Sequence, residues 1–81
     1  MNLDPEGEAQ RERTAKAFRQ SDLEVEELWM HYFSIGGDAG AMEIEAYLHG
    51  SYMLRPIQRD LLDHAIYELD SPDGDSEQRS G

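Results

Sequence analysis

The stretch SDLEVEELWMHYFSIGGDAG, residues 21–40, has the pattern of a helix with a defined start and a defined end. Ser21 followed by Glu24 three positions later is a capping-box signature, and acidic residues suit the positive end of the helix dipole. The pair Gly36–Gly37 ends the helix, because glycine readily adopts the left-handed conformation that follows many helices. The sequence therefore predicts a helix over about residues 22–35.

Apolar side chains cover more than half of the circumference of this helix. A helix packed against a single layer needs an apolar arc of only about 100°. Part of this apolar surface should therefore form the core. The remainder should face another protein chain, because leftover apolar surface usually marks an interface. The candidate apolar anchors are Trp29, Met30, Tyr32 and Phe33.

Two further helices follow at short intervals. Asp38 is a good N-cap and Gly50 a good stop, which predicts a helix over about residues 39–49. Pro56 suits the first position of a helix, and apolar residues then recur at helical spacing, which predicts a helix over about residues 56–69. Three helices with short connections indicate an all-α protein folded as a compact three-helix bundle.

The two ends of the chain differ in composition from this helical part. Residues 1–20 are polar and contain a proline and a glycine, which predicts a flexible N-terminal tail within which residues 12–20 can extend a helix. Residues 71–81 are rich in turn-forming residues and predict a disordered C-terminal tail. The sequence thus divides into two tails and one acidic helical domain, residues 21–70.

Acidic residues dominate this central domain. The net charge of the chain is −11, and residues 21–70 hold eleven acidic side chains against two basic ones. This balance argues against direct binding to nucleic acid, because neutralising phosphates requires a basic surface. An acidic surface instead favours a protein partner with a basic surface. The carboxylates expected to select that partner are Glu24, Glu27, Glu43 and Glu45.

The sequence has no feature of a membrane or secreted protein. No apolar run approaches the roughly 20 residues needed to span a bilayer, and the N-terminus has no hydrophobic signal core. The chain has no cysteine, which fits a reducing compartment. We therefore expect a cytoplasmic protein with no membrane contact.

Carboxylate–histidine pairs at helical spacing are the main candidates for site chemistry. Such pairs can supply two metal ligands, and converging pairs can complete a site. The pairs are Glu27 with His31, Glu45 with His49, and Asp60 with His64. No HExxH motif accompanies them, and such pairs arise on the solvated faces of an acid-rich chain, so we expect neither a metal nor a cofactor. Because the sequence also has no nucleophile motif or phosphate-binding glycine loop, we expect no enzymatic activity and assign no catalytic residue.

Four short strings carry a resemblance to known sequences. They are LWMHYF, GGDAG, EAYLHG and RDLLDHA, and they lie between about residues 28 and 70. This series resembles short uncharacterised actinobacterial proteins with the pattern LW-x-x-YF, GG-x-AG, EAYLHG and RDLL-x-HA. The resemblance implies no activity, cofactor or catalytic residue, and it favours a bacterial cytoplasmic regulator or accessory protein.

These observations predict a small, acidic, non-enzymatic module for protein interaction or regulation. It is expected to form a homodimer through the aromatic residues of the helix over residues 22–35, and to bind a protein partner with a basic surface. The alternative is a DNA mimic, in which carboxylates take the place of phosphates and occupy a nucleic-acid-binding protein.

Overall fold

A computed structural model describes residues 5–70, which form four α-helices and no strand. The helices are α1 (Pro5–Gln20), α2 (Val25–Ser34), α3 (Ala41–Leu48) and α4 (Pro56–Asp70). The all-α class is confirmed. The prediction of three helices is wrong, because most of the segment expected to be a flexible tail forms α1. The tail predicted for residues 71–81 lies outside the described residues.

α1 forms although it has few apolar residues. Pro5 occupies its first position, two glutamates lie in its first turn and Arg19 lies in its last turn, as the helix dipole favours. Alanine, glutamate, glutamine, arginine and lysine fill most of its length, and these residues are good helix formers. Ala15 is its one residue in the buried apolar core of the described part of the chain. Hydrophobic periodicity therefore does not reveal this helix.

The connection between α1 and α2 corrects the predicted start of α2. Ser21 belongs to the end of α1, where its backbone N–H and its hydroxyl both donate to the carbonyl oxygen of Phe18, at 3.1 and 2.7 Å. The N-cap of α2 is Glu24, whose backbone N–H donates to Oε1 of Glu27 at 3.2 Å. The capping interaction therefore lies three residues later than predicted, and so does the first residue of the helix.

The predicted start of α3 is wrong, whereas the predicted start of α4 is correct. The N-cap of α3 is Gly40, whose backbone N–H donates to Oε1 of Glu43 at 2.9 Å. The predicted cap, Asp38, instead forms a salt bridge with Arg55 at 2.7 Å. α4 begins at Pro56 as predicted and ends at Asp70, one residue beyond the predicted end.

The four helices form a ring. α2 packs on α3 and α4, and α1 packs on the same two helices from the other side. Within the described residues, the backbones of α1 and α2 do not approach each other, and neither do those of α3 and α4. α1 therefore lies over the gap between α3 and α4, opposite α2. The buried apolar core comprises Ala15, Leu28, Tyr32, Ala39, Ile44, Tyr47, Leu48, Leu54, Leu62, Ala65 and Ile66.

Candidate interaction surfaces

Tyr32 is part of the core and organises the connection between α2 and α3. The side chain is fully buried. Its hydroxyl donates to Oε1 of Gln58 at 2.5 Å and accepts the backbone N–H of Ala39 at 3.0 Å. The same Gln58 oxygen accepts the N–H of Asp38 at 3.0 Å. Burial raises the pKa of Tyr32, as expected for a phenol whose anion would be poorly solvated. The expectation that Tyr32 contacts a partner is wrong, because no part of its side chain reaches the surface.

Trp29 also holds this connection. Its indole N–H donates to the carbonyl oxygen of Ala39 at 2.9 Å, and its ring packs against Phe33 with 5.5 Å between ring centroids. Gly37 completes the arrangement, since a Cβ atom there would lie 2.3 Å from the Tyr32 ring. Two of the four predicted apolar anchors, Trp29 and Tyr32, are therefore engaged within their own chain.

The other two predicted apolar anchors, Met30 and Phe33, lie on the exposed side of α2. Met30 is 62% exposed and Phe33 is 58% exposed. Glu26 shares this side, because residues at spacings of three, four and seven lie on one face of a helix, and it too is exposed. We call Glu26, Met30 and Phe33 the α2 outer face.

The four predicted carboxylates, Glu24, Glu27, Glu43 and Glu45, are all exposed. Two of them already have a partner within the chain. Glu27 accepts the N–H of the α2 N-cap and Glu43 accepts the N–H of the α3 N-cap. Glu24 and Glu27 lie at the start of α2, beside the α2 outer face along the chain, whereas Glu43 and Glu45 lie on α3.

Other large apolar side chains are exposed away from α2. They are Met42 on α3, Tyr52 and Met53 in the α3–α4 connection, and Ile57 and Tyr67 on α4. Single exposed apolar residues are common on proteins and do not by themselves indicate a site. Ile57 is 62% exposed, although it begins the apolar repeat that follows Pro56.

A polar cluster, which the sequence does not predict, joins α1 to α4. The side-chain amide of Gln10 donates to Asp60 at 3.0 Å and to Asp63 at 2.8 Å, and its carbonyl oxygen accepts Nε–H of Arg59 at 3.1 Å. The Thr14 hydroxyl donates to Asp63. We call these five residues the α1–α4 polar contact. Its central arginine is only 7% exposed, although the helical pattern of α4 places it on the polar side.

Tyr47, on α3, lies beside the α1–α4 polar contact. It is fully buried, and within the described part of the chain its hydroxyl makes no hydrogen bond of good geometry, although it lies close to the Thr14 side chain. The pKa of Tyr47 is raised to about 12, mainly by burial and secondly by the negative charge of Asp63, while Arg59, Thr14 and Arg11 act in the opposite direction. A buried hydroxyl without a partner is uncommon and costs free energy.

Two histidines meet one carboxylate between α2 and α4. Nε2 of His31 lies 2.6 Å from Oε1 of Glu68, and Nε2 of His64 lies 2.9 Å from Oε2. The hydrogen bond from His31 is the main reason why the pKa of Glu68 is lowered. Because the imidazoles contact different oxygens, they do not converge on one point. Within residues 5–70 no group of three such side chains is arranged to hold a metal ion.

No helix in the described part of the chain is both long and apolar enough to cross a membrane. Comparison with known proteins adds no relative: no protein-family model matches the chain, and neither does any curated protein or solved structure.

Proposed function

We propose that this protein is a non-enzymatic interaction module, in which the α2 outer face binds a basic, partly apolar segment of a protein partner. The observation that supports the proposal is the exposure of Met30 and Phe33, one helical turn apart and beside Glu26. Two large apolar side chains on one exposed face can enter a pocket or groove on another protein. Methionine and phenylalanine are enriched at protein interfaces relative to the rest of the surface.

The surrounding charge favours a basic partner. No lysine or arginine occurs between Gln20 and Leu54, and seven acidic residues lie in that segment. They are Asp22, Glu24, Glu26, Glu27, Asp38, Glu43 and Glu45. A partner with lysine or arginine around an apolar centre would associate faster and in a defined orientation.

The same charge argues against a symmetric homodimer through the α2 outer face. A two-fold axis would place this face against its own copy, which brings together two helices that each carry Glu24, Glu26 and Glu27. Like charges at a contact are unfavourable, and no basic residue lies nearby in sequence to offset them. A basic partner therefore fits this face better than the homodimer that the aromatic content alone suggests.

The DNA-mimic alternative is weaker for a different reason. Phosphate surrogates need carboxylates that are available to a binding protein. Two of the four predicted carboxylates, Glu27 and Glu43, accept hydrogen bonds from the N-cap residues of their own helices. The apolar centre of the face also has no counterpart in a row of phosphates.

Affinity capture from a lysate of the source organism tests the proposal. The full chain is used as bait in three forms: wild type, a double variant with Met30→Ala and Phe33→Ala, and Met42→Ala. Met42 is the matched control because it is 81% exposed and lies on α3. We expect a partner that is retained by wild type and by Met42→Ala, and whose affinity falls about tenfold or more in the double variant.

The salt dependence of the captured complex separates the alternatives. Binding through an apolar centre with a charged rim should weaken only moderately in high salt. Complete loss in high salt, together with displacement by duplex DNA and an undiminished affinity of the double variant, would contradict the proposal and support the DNA mimic.

A further inference from the structure

α1 is attached to the rest of the molecule differently from the other helices. It packs on α3 and α4 but not on α2, to which it is joined by a connection of four residues, 21–24. It adds one residue, Ala15, to the buried apolar core, with Ala17 and Phe18 packed at its edge. The remainder of the core comes from residues 28–66. The helices α2, α3 and α4 therefore keep most of the apolar core without α1.

The seam between α1 and α4 is incompletely filled. An open cleft of about 480 Å³ lies along it, between Arg13 and Ala17 of α1 and Asp63, Ile66 and Tyr67 of α4. The cleft is open to solvent, so the side chains that line it do not pack against the facing helix there. The seam is consequently held mainly by the hydrogen bonds of the α1–α4 polar contact. Such bonds contribute a modest net free energy, because water replaces them on separation.

The surface beneath α1 is specific for this helix. Asp60 and Asp63 both accept hydrogen bonds from the side-chain amide of Gln10. Asp63 also accepts a hydrogen bond from the Thr14 hydroxyl, and Arg59 donates one to the side-chain oxygen of Gln10. An identical helix from a second copy would offer the same groups at the same spacing. A different helix would leave the buried Arg59 and the half-buried Asp63 without these partners, which is costly.

The connection between α1 and α2 contains a residue in an unfavourable backbone conformation. Asp22 has φ of +67°, and it is the one non-glycine residue with positive φ in the described part of the chain. Left-handed geometry is unfavourable for an L-residue, although aspartate is among the more tolerant residues. Ser21 holds the turn closed, since its Oγ accepts the N–H of Leu23 at 3.1 Å. Local hydrogen bonds thus stabilise the closed turn, and the backbone conformation of Asp22 destabilises it.

From these features we infer that α1 exchanges between two copies of the chain, so that α1 of each copy packs on α3 and α4 of the other. Exchange of an identical element recreates every contact of the closed form and needs no new complementary surface. Opening the turn relieves the strain at Asp22 in both chains. This inference is independent of the proposed function, because it concerns α1 and not the α2 outer face.

Two substitutions at Asp22 test the role of the hinge. Both remove the carboxylate, but glycine accepts positive φ and alanine does not, and alanine extends a helix better than glycine. We expect Asp22→Ala to dimerise more tightly than Asp22→Gly by about tenfold or more, because each dimer contains two hinges. The measurement is light scattering behind size exclusion over a wide range of concentration. Equal dissociation constants for the two variants would overturn the inference.

A disulfide experiment identifies the exchanged helix directly. The chain has no cysteine, so Thr14→Cys with Asp63→Cys introduces a single pair at a position where the two side chains are in contact. Oxidation of the isolated dimer fraction should join two chains, whereas the monomer fraction should form the bond within one chain, as read on a non-reducing gel. A dimer fraction that yields only single chains would overturn the inference. So would the absence of any dimer in wild type and in Asp22→Ala at high concentration.

Discussion

α1 and α2 pack on the same two helices but are held by different interactions. α2 buries Leu28 and Tyr32 completely, and its tyrosine hydroxyl forms hydrogen bonds within the core. α1 buries mainly small or polar side chains and is held by the α1–α4 polar contact. The comparison shows that a helix held by apolar residues is visible in the sequence. A helix held by polar residues becomes visible only when its partners are located.

The two fully buried tyrosines, one on each side of the core, also differ in the hydrogen bonding of their hydroxyl groups. Tyr32, on α2, has a donor and an acceptor for its hydroxyl. Tyr47, beside α1, has neither among the described residues. The α2 side of the core is therefore fully satisfied, whereas the α1 side contains an unpaired polar group.

The largest expected effect is loss of the fold in alkali, because ionisation affects both sides of the core. The folded-state pKa of Tyr47 is raised from 10.0 to about 12, and that of Tyr32 is also raised. Since the unfolded chain ionises first, this stability is fully present below pH 10 and is lost as pH rises toward 12. In a variant with Tyr52→Phe and Tyr67→Phe, which replaces the two exposed tyrosines, absorbance at 295 nm reports only on Tyr32 and Tyr47 and should change together with circular dichroism at 222 nm. Tyrosine ionisation near pH 10 in this variant, with the helix signal unchanged, would contradict the burial of both rings.

The substitution Gly37→Ala should be the most damaging single change on the α2 side. A Cβ atom there would lie 2.3 Å from the Tyr32 ring, and the ring is fixed by its hydrogen bonds. We expect a loss of about 2–3 kcal/mol in the free energy of unfolding, measured by urea denaturation.

Gly40→Ala is the matched control for Gly37→Ala. A Cβ atom at Gly40 meets nothing within 4 Å, and only the preference of N-cap positions for glycine over alanine opposes the change. The loss should stay below about 1 kcal/mol. Equal losses for the two variants would show that the contact between Gly37 and Tyr32 is unimportant.

Removing the two tyrosine hydroxyls separately should give unequal results. Tyr32→Phe leaves the N–H of Ala39 buried without its acceptor, which should cost about 1–3 kcal/mol in the free energy of unfolding at neutral pH. Tyr47→Phe removes a hydroxyl that makes no hydrogen bond of good geometry within the described residues, so stability should change by less than about 0.5 kcal/mol or increase slightly. Urea denaturation of the pair is the measurement. A larger loss for Tyr47→Phe would mean that its hydroxyl is bonded.

Gln10→Ala should have the most local effect. It removes the amide that links α1 to Asp60, Asp63 and Arg59, and should cost about 1 kcal/mol. Hydrogen exchange should show faster exchange in α1 and unchanged protection in α2. Gln20→Ala, an exposed glutamine at the end of the same helix, serves as the control. A uniform increase of exchange in all four helices would show that α1 is not separable from the other helices.

The sequence predicted α4 almost to the residue, because Pro56 and the apolar repeat that follows are local signals. It placed the starts of α2 and α3 three and two residues early, since Ser21 and Asp38 are good caps by type. Each of them is engaged elsewhere: Ser21 closes the end of α1, and Asp38 pairs with Arg55. Cap preference is local, but the partner that a side chain finds is decided by the fold.

The candidate site was predictable only in part for the same reason. Met30 and Phe33 are exposed as an interface requires, whereas Tyr32 is buried, and all three occur in the apolar string of α2. A wide apolar arc shows that a helix has more apolar surface than one neighbour covers. It does not show which side remains uncovered, because that depends on where α3 and α4 lie.

By itself, the sequence determined that this protein is all-α, that α2 ends just before Gly36 and Gly37, and that its central part is acidic. These properties depend on residues close together in the chain, through helical spacing, glycine stops and charge. Only the tertiary structure decided that residues 5–20 form a helix, that Tyr32 supports a loop, and that Arg59 is buried. Each of these involves contacts between different elements of the fold, which hydrophobic periodicity along the chain does not record.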